Sequence, residues 1–106
     1  MPLTRNFRET VQQRAKTDAA FREALFIEAM NAYLEGDTST GKAILRDLVN
    51  ATVGFEELAQ DVGKPSKSLH RMLSPQGNPS SENFFRLVSA LQNRTRMRLQ
   101  VLTRPA

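Results

Sequence analysis

Apolar residues return every three to four positions through most of this chain, the spacing of helices that bury one side. Phe7, Val11 and Ala15 form one stripe of a short first helix, which Thr4 is placed to cap. Asp18 then precedes "AAFREALFIEAMNAYLEG", in which Phe21, Leu25, Glu28, Ala29 and Ala32 trace one face. Phe26, Met30, Tyr33 and Leu34 widen its apolar sector, as expected of a helix packed against more than one neighbour. Gly36 ends that helix in the manner of a C-terminal glycine. A third helix, over about Thr40 to Ala51, turns Ile44, Leu45, Leu48 and Val49 inward.

The second half breaks into shorter pieces. "FEELAQDV" carries Leu58, Ala59 and Val62 on its inner face and stops at Gly63, and "PSKSLHRML" follows with Leu69, Met72 and Leu73. "SPQGNP" is a turn, because Pro75, Gly77 and Pro79 forbid continuation. Ser80 caps a further helix in which Phe84, Leu87, Val88 and Leu91 repeat at helical spacing. The period then changes. In "RMRLQVLTR" Met97, Leu99 and Val101 alternate with Arg98 and Gln100, which is the pattern of a strand.

The expected fold is all-α, about five to six helices with a short C-terminal β-strand. It forms one domain over 1–106, divided into N-terminal helices (1–53), a central core (54–92) and the strand segment (96–103). A chain of 106 residues, 40% hydrophobic, can form a single core. No apolar run is long enough for a membrane span, and "MPLTRNFRET" lacks an apolar signal region, so a cytoplasmic protein with no membrane partner is expected. Cysteine is absent and histidine occurs once, which argues against disulfides and a dedicated zinc site. The patterns Asn50–Thr52 and Asn93–Thr95 match glycosylation acceptors but carry no weight without a secretory route.

One stretch imitates a nucleotide site. "GDTSTGKA", Gly36 to Ala43, contains G-x-x-x-x-G-K, yet the residues before it are helical in pattern and Ala43 stands where a magnesium-binding hydroxyl belongs. A phosphate loop needs a strand before it and a helix after it to aim its N–H groups. Here Gly36 ends one helix and Asp37 or Thr38 caps the next. His70 has only Ser66 within reach on its own helix face, with no orienting carboxylate, so nucleophilic catalysis finds no constellation. No enzyme activity and no cofactor are expected.

Charge changes the picture. Residues 1–53 carry seven Lys/Arg and seven Asp/Glu, whereas residues 54–106 carry eight against four. From Gly63 onward, Glu82 is the one acid. A basic C-terminal half points to a polyanionic partner, nucleic acid first. "GFEELAQDVGKPSKSLHRML" has the layout of a DNA-reading helix-turn-helix: two short helices across a glycine turn, with Leu58, Ala59, Val62, Leu69 and Met72 or Leu73 packed between them. Ser66, Lys67, Ser68, His70 and Arg71 are left to face a groove, and Lys64 to face solvent or phosphate.

The segment "GFEELAQDVGKPSKSLHRMLSPQGNPSSENFFRLVSALQ" resembles the helix-turn-helix core of the HigA-like addiction-module antidotes, within the phage-repressor-like Xre class. Leu58-Ala59, Gly63, Ser68-Leu69, Arg71 and "LSPQGNPS" carry the likeness, and "LTRNFRET" and "FREAL…EA…LEGD…GKAILRDLVNAT" extend it over nearly the whole chain. The resemblance implies a DNA-binding antitoxin that represses its own operon and neutralises a RelE-like toxin. It carries base contact onto Ser66, Lys67, Ser68, His70 and Arg71. Two positions depart from the pattern: Pro65 stands where relatives place a capping serine, and Lys64 where the turn is often apolar. Capping by Lys64 or Ser66 is the expected substitute.

A lone terminal strand leaves its backbone unpaired. Pairing with the same strand of a second chain, through Met97, Leu99 and Val101, would give a homodimer. Its two reading helices, about 34 Å apart, would match a palindromic operator on double-stranded DNA. A stand-alone repressor and a protein-interaction adaptor that does not bind DNA are the alternative readings.

Overall fold

Six helices occupy residues 5–106, the part of the chain described by a computed structural model, with side chains described from Phe7 onward. They are α1 (Arg5–Thr17), α2 (Ala19–Leu34), α3 (Thr38–Ala51), α4 (Phe55–Val62), α5 (Ser66–Met72) and α6 (Ser81–Thr95). The expected cap at Thr4 lies outside the described residues. None of these helices is long and apolar enough to cross a membrane.

The helix ends follow local chemistry. Carboxylate Asp18 accepts from the Phe21 amide at 3.1 Å, and Asp37 accepts from the Thr40 amide at 3.2 Å. The Ser80 hydroxyl accepts from the Asn83 amide at 3.2 Å. Because Asp37 is the cap, α3 starts at Thr38, about half a turn earlier than the apolar spacing suggests. Gly36 and Gly63 both take left-handed backbone, φ 85° and 76°, where an L side chain would be strained. The last carbonyls of α1 are met from outside the helix, with Arg22 Nη1 donating to Ala15 O at 2.8 Å.

Helices α1–α3 pack on one another, and α4 packs against α5 and α6. The core runs through both groups. Phe26, Leu45, Leu48, Val49, Leu58, Leu69, Leu73, Leu87 and Leu91 are its largest fully buried side chains. Tyr33 of α2 reaches Phe84 of α6, ring centroids 4.5 Å apart, so α2 does touch several neighbours. Burial of the Tyr33 phenol pushes its pKa up to about 12. Leu34, though part of the apolar sector of α2, is 69% exposed.

"GDTSTGKA" becomes a helix junction. Gly36 terminates α2, Asp37 caps α3, and Gly41 is buried where a Cβ would stand 2.6 Å from the Tyr33 ring. The glycine thus lets α3 approach α2 closely. Lys42 Nζ donates to the Gly77 carbonyl in the turn after α5.

The tail differs from the alternating strand expected over 96–103. No strand forms among the described residues. Arg96 closes α6 in left-handed backbone (φ 57°), and the Leu99 amide donates to Gln92 Oε1 at 2.8 Å. A strand needs a neighbour with which to exchange hydrogen bonds, and the described residues offer none here. Met97 and Leu99 fold partly onto the core, while Val101 is 78% and Leu102 85% exposed.

Candidate nucleic-acid interface

The residues between α4 and α5 are few and strongly constrained. Gly63 donates from its amide to Ala59 O at 2.8 Å, and Lys64 donates to the same carbonyl at 3.1 Å. Pro65 occupies the N-cap of α5 with φ −62° and ψ 147°, the backbone its ring prefers. No side chain caps α5, so neither Lys64 nor Ser66 takes the role left by the missing serine. Instead the Pro65 carbonyl accepts from the Ser68 amide at 2.9 Å.

Leu69 and Met72 bury the inner side of α5, and Leu73 follows them into the core. Outside, Lys67, His70 and Arg71 are exposed, while Lys64, Ser66 and Ser68 are half-buried. All six candidate residues therefore lie in one short stretch whose apolar partners face inward. Lys64, Lys67 and Arg71 form no ion pair among the described residues. The His70 imidazole stacks on Phe55 of α4, centroids 3.9 Å apart with 23° between planes. One ring face is thereby covered, and His70 ties the start of α4 to α5 as well as reaching the surface.

The supports behind this face lie far away in sequence. Arg46 Nη1 donates to Leu73 O at 2.7 Å, and Lys42 holds the Gly77 carbonyl, so α3 grips the segment just after α5 from two points. Gly77 sits so close to α5 that a Cβ there would be 2.0 Å from Arg71 O. On the other side, Arg94 of α6 makes a two-pronged pair with Asp61 at 2.6 and 3.0 Å and reaches Glu57 at 3.4 Å. Those hydrogen bonds from Arg94 hold the Asp61 carboxyl below the usual carboxylate range.

Sequence reasoning missed Phe55, Lys42, Arg46 and Arg94 as supports, and it missed Glu56 and Gln60. The last two line a shallow groove with Ala59, Gly63, Lys64, Pro65 and Ser66, where α4 meets α5. Their i, i+4 spacing on the polar side of α4 is the one local signal that marks them.

The arrangement can present cations and hydroxyls to an anionic polymer from a firmly held helix. Among the described residues no group of three or more His, Cys, Asp or Glu side chains is placed to hold a metal ion. No protein-family model matches the chain, and neither the curated proteins nor the solved structures contain a significant match.

Proposed function

We propose that this protein is a sequence-specific DNA-binding transcriptional regulator in which α4 and α5 act as a helix-turn-helix and α5 enters the major groove. The observation that carries the reading is that Lys67 and Arg71 stand exposed on the outer side of a helix fixed from behind by Leu69 and Met72, with Lys64 in the turn before it and none of the three in an ion pair among the described residues. Lys and Arg donate to guanine O6/N7 or to phosphate, and Ser66 and Ser68 can reach bases or backbone. The basic balance from Gly63 onward favours the same partner. A cytoplasmic homodimer on a palindromic operator suits this chemistry.

The likeness to HigA-like antidotes in residues 54–92 extends the proposal to an antitoxin that represses its own operon and neutralises a RelE-like toxin. The test has two arms. A gel shift on DNA upstream of the gene, against a scrambled duplex, should show preference for the upstream fragment. Co-expression with the neighbouring gene product should yield a co-purifying complex. Equal binding to both duplexes would sink the sequence-specific reading, and lack of a complex would leave a stand-alone repressor.

A further inference from the structure

The C-terminal ends of α1, α3 and α6 meet around an open cavity of about 360 Å³. Its charged side chains are Lys16, Arg22, Arg94 and Arg96 against a single acid, Glu57. Asp61, the second partner of Arg94, lines a different cavity. Cations at helix C-termini answer the negative end of each dipole. The three termini carry about half a charge apiece, which offsets only part of the cationic surplus.

The cations differ in what holds them. Arg94 is occupied by Asp61 and Glu57. Arg22 is half-buried and anchored through one nitrogen, with Nη1 donating to Ala15 O at 2.8 Å and to Lys16 O at 3.3 Å. Its other N–H groups meet no acceptor among the described residues. Lys16 and Arg96 are exposed and form no ion pair among the described residues. The wall hydroxyls have no proton to spare, because Thr52 donates to Leu48 O and Thr95 to Leu91 O. The free side-chain donors of this cavity are therefore cationic.

Arg96 adds an independent observation. It closes α6 at φ 57°, the one left-handed residue other than glycine among the described residues. Glycine is the unstrained choice there, and Gly63 fills that role after α4. The chain instead places an arginine whose side chain lines the cavity. Backbone strain of this kind gathers where a side chain has work at a ligand.

We infer that this cavity binds phosphate through Lys16, Arg22 and Arg96. Guanidinium and ammonium groups make charge-assisted hydrogen bonds to phosphate oxygens, and arginine does so with two donors at once. A neutral ligand would leave the surplus charge unmatched. The phosphate belongs either to a small phosphorylated compound or to a nucleic-acid backbone. The site lies outside α5 and does not rest on the DNA reading of that helix.

The test is a titration of the full chain with inorganic pyrophosphate, ionic strength held constant with sodium chloride and amide chemical shifts as the readout. The amides of Lys16, Thr52, Thr95 and Arg96 should move and saturate. In the double variant Lys16→Ala/Arg96→Gly the dissociation constant should rise about tenfold or more. Arg96→Gly alone keeps the construction falsifiable: without anion it should melt higher than wild type, since glycine relieves the left-handed backbone, yet gain less from pyrophosphate. A duplex of random sequence separates the two sources. Movement of the same amides by the duplex, with pyrophosphate competing, assigns a nucleic-acid backbone; no movement by the duplex assigns a small phosphorylated compound. The inference is overturned if pyrophosphate does no more than chloride, or if the double variant responds like wild type. It is also overturned if Arg96→Gly melts lower without anion, for Arg96 would then be a structural support.

Discussion

Two exposed surfaces of this molecule are built from opposite chemistry. The outer side of α5 is polar and cationic, with Lys67 and Arg71 in no ion pair among the described residues and backed by fully buried Leu69. The groove of α2 and α6 is lined by apolar side chains, and its aromatic floor is formed by Tyr33 and Phe84. A polyanion is attracted to the first, whereas the second offers apolar surface and no matching charge. The contrast sets a cationic surface against an apolar one within a chain of 106 residues.

The sharpest way to break the contrast is to remove what lies beneath α5. Leu69→Ala empties a fully buried position and is expected to lower unfolding stability by about 2–5 kcal/mol in a denaturant titration. The matching change on the other surface, Phe85→Ala, is expected to move stability by no more than about 1 kcal/mol, since that ring is 57% exposed. Comparable losses would mean that Phe85 belongs to the core.

Gly77→Ala comes next. Its Cβ would collide with backbone, 2.0 Å from Arg71 O, so about 1–3 kcal/mol of destabilisation is expected, together with displacement of α5. Amide chemical shifts of Lys67 to Met72 should move, while those of α1 stay. Lys42→Ala removes one tie to the same turn and should lower stability by about 1 kcal/mol, measured by denaturant titration. DNA binding by the folded variant should stay near wild type, and a large loss would place Lys42 among the binding residues.

The smallest effect belongs to the exposed pair of Arg94 and Asp61. Hydrogen bonds from Arg94 lower the Asp61 pKa in the folded protein, so the unfolded chain binds its proton more tightly. The stability it contributes is therefore present above the ordinary carboxylate value near pH ~4 and disappears as pH falls through the lowered one. Thermal melts of wild type and Arg94→Ala should differ slightly at pH 7 and converge in acid. A gap that widens on acidification would contradict the pairing.

Much of the fold was legible because it is written locally. Asp18, Ser80, Gly36 and Gly63 each end or begin a helix through contacts within a few residues, and the apolar spacings around Leu45, Leu58, Leu69 and Leu87 mark the core directly. The candidate interface was legible in the same way, since Leu69 and Met72 turn inward and leave Lys67 and Arg71 outside. Its supports were not. Lys42 with Gly77, Arg46 with Leu73 and Arg94 with Asp61 join residues 27 to 35 positions apart, and no periodicity encodes such pairings. The tail misled for a related reason. Alternation at Met97, Leu99 and Val101 describes an extended segment with one apolar side, but a strand also requires a partner.

The central claim is that α5 presents Lys67 and Arg71 to DNA. Its most direct test is the salt dependence of binding to the upstream DNA fragment, for the wild type and the double variant Lys67→Ala/Arg71→Ala. Loss of two phosphate-directed cations should weaken binding and flatten the slope of log K against log salt by about 2. An unchanged affinity and an unchanged slope would contradict the account.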